Sequence, residues 1–243
     1  MPRPSKTPTH LTINARAVPL VTRVNRRAKR LILKVDPISG EIFVTAPTQS
    51  ALGDAVNFAR DNAHWIEKQL KPEMRARPFR ENDIAMLRGE PHRIVRDGGP
   101  RRPVEIINDA NATPTLKVGG DSAHLNRRVV DWMKRQARAD FSTQVEAHCA
   151  AMDRPAAKFN IRDARTRWGS CSSDGVLNFT WRLIMAPAFV LDYVAAHECA
   201  HLLHMNHGPA FWREVTRLGV EARQAENWLS ENGTKLFTYG AHA

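Results

Sequence analysis

His197-Glu198-Cys199-Ala200-His201-Leu202-Leu203-His204-Met205-Asn206-His207-Gly208-Pro209 holds four of the chain's ten histidines within eleven residues. His197 and His201 are four apart, so on a helix they share one face, about one turn apart. Glu198 lies beside the first of them. The preceding stretch, Phe189 to Ala196, is apolar almost all round, which predicts a buried helix. Pro187 suits its first turn. Two histidines and a glutamate on a buried helix are costly unless something satisfies them.

Two imidazoles so spaced can hold one zinc ion, and the adjacent carboxylate can reach a metal-activated water without being a ligand. This is the HExxH pattern of zinc metalloproteases. A tetrahedral site needs its third ligand from another direction. His204 returns to the same helical face, but it sits about 10 Å along the axis from His197 and about 4.5 Å past His201, in line with both. His207 can approach from across the site if the helix ends near Met205-Asn206. Asn tolerates the left-handed conformation that ends helices, and Gly208-Pro209 forbids simple continuation. The expected site is therefore one zinc ion per chain on His197, His201 and His207, with Glu198 as the general base. His204 is expected to contribute packing or outer support.

Upstream, Leu125, Val129, Trp132, Met133, Ala137, Phe141, Val145 and Cys149 recur at intervals of three and four, predicting a long helix over 125–152. Short strands are expected around 159–162 and 166–172. Asp174-Gly175 reads as a hairpin turn, and Val176–Ile184 as the return strand with Leu177, Phe179, Trp181 and Leu183 on one face. In the N-terminal half, Ala17–Thr45 has strand alternation broken by the turn signal Asp36–Gly40. Residues 50–70 switch to a helical period, with Ser50 a plausible N-cap. Residues 1–10 read as a flexible tail, and one short strand is expected at Arg93–Arg96. No internal repeat is visible. Gly119-Gly120, inside a stretch rich in Asn, Asp, Thr and Pro, marks the main boundary. The expectation is an α+β protein: a tail over 1–10, a basic β-rich module with one helix over 11–121, and a catalytic domain over 122–243.

The 243 residues are 42% hydrophobic and 25% charged, which excludes a disordered or fibrous chain. No apolar run is long enough to span a membrane. Three scattered cysteines do not make a disulfide framework, and no secretory signal is visible, so a cytoplasmic location is expected. The net charge of +11 is uneven: residues 1–100 hold 18 Lys/Arg against 10 Asp/Glu, and the first 34 hold nine basic side chains and no acid. Such a field favours anionic partners, nucleic acid first among them. The competing reading is a solvated basic face that keeps the protein soluble.

Arg165-Thr-Arg-Trp-Gly-Ser-Cys-Ser172, Leu177-Asn-Phe179, Asp192-Tyr-Val194 and the histidine-rich run through Trp212 together resemble the YgjP-like metallopeptidases, which look related to SprT-like and WLM zinc peptidases. The basic stretch Arg26–Leu31, Trp65-Ile66 and Arg88-Gly89-Glu90 resemble that family's N-terminal part more loosely. The resemblance implies a zincin-like peptidase that hydrolyses peptide bonds of a protein or peptide substrate, with His197, His201 and His207 as ligands and Glu198 as base. Cys199 and Gly208 depart from the residues usual at those positions. Cys199 projects away from the metal face and reads as a small buried apolar residue. Trp168, Gly169 and Ser170 either form a substrate-binding edge strand or a tightly packed turn. Tyr193 lies one turn before His197, to support the site or to fill the core. Trp212 is expected to pack the following helix onto the metal helix. The rival reading is a nucleic-acid-associated protein bound through its basic N-terminal module, including a protease that acts on proteins bound to DNA or RNA.

Overall fold

Strand alternation in the first fifty residues builds one four-stranded sheet: β1 (Thr9–Ile13), β2 (Arg16–Val24), β3 (Ile32–Val35) and β4 (Ile42–Ala46). The order is β1-β2-β4-β3; β2 and β4 are parallel and both outer pairs antiparallel. The period of two turns Leu20, Ile42, Val44 and Val35 to one face. There they meet Ala55, Ala59 and Ile66 from α1 (Ala55–Asp61) and α2 (Ala63–Gln69). The helical stretch expected as one element is two, broken at Asn62, whose side chain donates to the Phe58 carbonyl (2.8 Å). Ser50 opens a single 3-10 turn instead of capping α1. The structure, a computed structural model, describes residues 9–13, 16–36, 38–70, 76–99, 102–108, 112–164 and 167–241. Most of the expected tail lies outside them, but Thr9 and His10 already belong to β1.

The chain divides into two compact units, Met1–Ala76 and Arg77–Ala243, not at residue 121. A second four-stranded sheet accounts for the difference: β5 (Ile84–Leu87), β6 (Glu90–Arg96), β7 (Glu105–Ile107) and β8 (Thr115–Val118). Its Ala85, Ile94, Leu116 and Val118 share one hydrophobic core with the helices that follow. Its β5–β6 turn also donates Arg88 N–H to the Ile184 carbonyl (2.7 Å) and Gly89 N–H to the Met185 carbonyl (3.3 Å). Gly119 marks crowding, not a boundary: a Cβ there would lie 2.7 Å from the Arg102 carbonyl oxygen. The second sheet has the order β5-β6-β8-β7, with the same parallel and antiparallel pairings as the first. The chain thus repeats one topology that its sequence does not display.

The long helix α3 (Leu125–Ala151) buries Leu125, Val129, Met133, Ala137, Phe141 and Val145, as its stripe predicts. A three-stranded sheet follows, with β9 (Lys158–Arg162), β10 (Gly169–Cys171) and β11 (Val176–Thr180) in the order β10-β11-β9. The return strand is shorter than its alternation suggests, because Trp181–Met185 forms a fully buried 3-10 turn. The buried helix α4 (Ala188–Ala200) comes next, then α5 (Pro209–Arg217) and α6 (Ala222–Leu236). Among the described residues no helix is long and apolar enough to cross a membrane.

Candidate metal centre

His197 and Glu198 lie in the last turn of α4, and His201 is its C-cap. The helix ends at Ala200, earlier than the expected Met205-Asn206. Leu202 N–H returns to the Cys199 carbonyl (2.9 Å), and the N–H groups of Leu203 and His204 to Ala200 (3.1 and 3.0 Å). That turn brings the His204 carbonyl 2.9 Å from Nδ1 of His201. A carbonyl only accepts, so Nδ1 carries the hydrogen and Nε2 keeps its lone pair for a metal. His204 therefore supports the site through its backbone and not its imidazole.

On α4, Tyr193 Oη donates to Oε1 of Glu226 (2.7 Å) and lies 3.5 Å from Nδ1 of His197. With its hydrogen directed to Glu226, the hydroxyl can only accept from His197. Nε2 of His197 is thereby left free, and it sits 3.0 Å from Nε2 of His207. Two nitrogens so close need a hydrogen or a cation between them. Two zinc ligands at about 2.0–2.1 Å and tetrahedral angles would stand about 3.4 Å apart, so the spacing fits one small cation. Ligand atoms of His197, His201 and His207 all lie within 4.8 Å of one another. Burial and the neighbouring imidazoles lower the pKa of His197 to about 4 and also lower that of His201, so both are neutral and able to ligate near pH 7.

Phe211 on α5 forms the floor. Its ring centroid lies 4.9, 4.6 and 4.7 Å from those of His197, His201 and His207. It does the packing expected of Trp212, which is 38% exposed beside His197 and His207.

Glu198 is 6% exposed, and burial raises its pKa to about 7, against the nearby charge of Arg167. Gly169 of β10 lies against it: a Cβ there would be 2.6 Å from Glu198 Cγ and Oε1. The site thus joins a histidine triad to a buried carboxylate beneath an edge strand. The YgjP-like metallopeptidase domain matches residues 29–232.

The chain belongs to the YgjP-like metallopeptidase family.

No curated protein matches it. The chain is similar to a crystal structure of the metallopeptidase zymogen of Pyrococcus abyssi abylysin, at 19% identity and a TM-score of 0.34, covering 37% of this chain and 93% of that one.

In this YgjP-like chain the edge strand has a definite register. Thr180 N–H donates to the Trp168 carbonyl and Ser172 N–H to the Val176 carbonyl, both at 3.0 Å. Residues 168 and 172 therefore face β11, as residue 170 does by alternation, so the backbone groups of Gly169 and Cys171 face the open side. Beside Glu198 lies a cleft of about 490 Å³, walled by Trp168, Tyr193, Val194 and Leu229, with Arg167 and Glu226 among its charged groups. Trp168 also stacks on Phe237 (centroids 4.9 Å apart), so it serves both the core and the cleft. Ser170 is not brought to the carboxylate: its side chain alternates to the other face, with Oγ 3.5 Å from Asn178 Nδ2. Cys199 is buried and its thiol meets that of Cys149 on α3, away from the triad. Arg165 and Thr166, which open the Arg165–Ser172 motif, lie outside the described residues.

Glu226 and Phe211 escape sequence reading. Glu226 lies 33 positions from the tyrosine it anchors, and no local spacing marks such a pair. Phe211 is the fourth residue after His207, and only the turn at Gly208-Pro209 folds it beneath the triad.

Proposed function

We propose that this chain is a zincin-like peptidase that hydrolyses peptide bonds of a protein or peptide substrate, using one zinc ion on His197, His201 and His207. The observation that carries the reading is the tautomer pattern. Outer partners hold Nδ1 of His197 and of His201 as donors, so both Nε2 atoms offer lone pairs beside His207. Three neutral imidazoles are a typical donor set for catalytic zinc. When bound, zinc supplies a Lewis acid that polarises the scissile carbonyl and acidifies a water.

Glu198 is the group that takes the proton. It is buried and its pKa is raised toward neutrality, whereas Glu226, the other carboxylate of the cleft, is engaged by the Tyr193 hydroxyl. A base poised near the working pH both accepts the proton and can return it to the leaving amine. The open backbone groups of Gly169 and Cys171 would take an extended peptide by strand addition. Gly169 lets β10 lie directly against Glu198, since any side chain there would strike the carboxylate, so a peptide added to this edge lies close to Glu198. An antiparallel peptide would run against the direction of β10. Its C-terminal part then lies toward the cleft of Trp168 and Leu229, and its N-terminal part toward the hollow lined by Ser172, Gly175 and Met205.

Glu198→Gln tests the role. Zinc content should stay at one per chain while hydrolysis of an unfolded protein falls about 10²-fold or more. Zinc lost along with activity would make Glu198 a ligand or a folding residue, and unchanged activity would remove it from the reaction.

A further inference from the structure

The first unit is electrically polarised. Between Thr9 and Val35 there is no acidic residue. The connection from β2 to β3 carries Arg26, Arg27, Lys29 and Arg30, all exposed. None of these four forms an ion pair among the described residues. The acids of the unit's described residues lie elsewhere: Asp36 and Glu41 flank the turn at the other end of β3, and Asp54, Asp61 and Glu67 lie in the helical segment. A face that served only solubility would intersperse the two signs.

The sheet continues the cationic tip. Its inner face is covered by α1 and α2. On the other face, register sets Phe43 between Val21 and Lys34, and Thr45 between Arg23 and Ile32. Arg23 Nε bonds Thr45 Oγ1 at 2.8 Å, which fixes that cation on this face. Phe43 and Val21 are half-buried, Ile32 is 47% exposed, and none of the three belongs to the unit's hydrophobic core. A sheet face with an aromatic ring, bordered by Arg23 and Lys34 and ending in four more cations, suits bases that stack and phosphates that pair. A duplex keeps its bases stacked inside and could not use the ring.

We propose that this face and the Arg26–Arg30 tip form a binding site for single-stranded nucleic acid. The inference does not rest on the peptidase reading, since every residue in it lies in the first unit.

The experiment measures binding of the full chain to fluorescent single-stranded and duplex oligonucleotides between 50 and 200 mM salt. If all six cations contact phosphate, affinity for the single strand should fall about 300-fold across that range. Replacing Arg26, Arg27, Lys29 and Arg30 by Ala together should cut the dependence to about 7-fold. A control replacing Arg60, Lys68, Arg127 and Arg135, four exposed cations elsewhere, removes the same charge and should leave the slope nearly unchanged. Phe43→Ala should weaken the single strand about fivefold or more and leave the salt slope intact, as loss of stacking requires. Thermal melts and zinc content report whether each variant is folded. No binding at 50 mM salt overturns the proposal, as does an equal loss in the tip and control variants. Preference for duplex, or for vesicles of anionic lipid, would assign the face to another occupant and overturn it equally.

Discussion

Gly169→Ala places one methyl group where the structure has no room. The new Cβ would stand 2.6 Å from Glu198 Cγ and Oε1 and 2.8 Å from Cδ. Ordinary Cβ contacts begin near 3.4 Å, so something must move by about 0.6–0.8 Å. Strand β10 is held by β11 and α4 is buried, so the carboxylate gives way. Overpacking of this kind costs about 1–3 kcal/mol, which lowers the melting temperature by about 2–12 °C for a unit of this size. The effect on catalysis is larger, because a displacement near 1 Å at a reacting group costs about 10²-fold. Gly208→Ala is the control, since its Cβ would meet only Asn206 Oδ1, at 3.1 Å. The assay is hydrolysis of an unfolded protein, read beside zinc content and thermal melts. The Gly169 variant should keep its zinc, melt slightly lower and lose about 10²-fold in kcat. Full activity there would mean that Glu198 is not the base or that β10 does not set its position.

Three further outcomes are expected. His207→Ala should lose zinc and activity together, whereas His204→Ala should keep zinc, because its carbonyl and not its ring holds His201; metal analysis of both variants decides. Tyr193→Phe leaves Nδ1 of His197 without its acceptor and should weaken zinc binding about 10- to 100-fold, measured by competition with a chelator. Glu198 has a folded pKa near 7 against an ordinary 4.5, so the folded state holds the proton first as pH falls. Metal-free wild type should therefore gain about 3 kcal/mol relative to Glu198→Gln between pH 7 and 4.5 in urea unfolding, and an opposite sign would place Glu198 in a polar setting.

The pairing of His197 with His201 is legible in the sequence because a spacing of four puts both on one face of a helix. The choice of His207 over His204 rests on the need for a third ligand from off the helix, and the structure gathers His207, and not His204, with the other two, although the helix has already ended at Ala200. The early helix end is not legible: no Gly or Pro stands at 201–206, and the turn depends on the His204 carbonyl meeting an imidazole. The unit boundary misleads for a related reason. Gly119-Gly120 looks like punctuation between domains, yet it marks backbone crowding inside the second unit. The α3 stripe is plain because a single buried face recurs over 27 residues. The shared topology of the two four-stranded sheets leaves no trace in residue spacing, since pairing order is a property of the backbone.

The most direct measurement is a zinc titration of metal-free protein, following hydrolysis of an unfolded protein substrate at each step. The account predicts no hydrolysis without metal and a rise that levels off at one zinc per chain. Cleavage by the metal-free protein, or none after one zinc is bound, would contradict it.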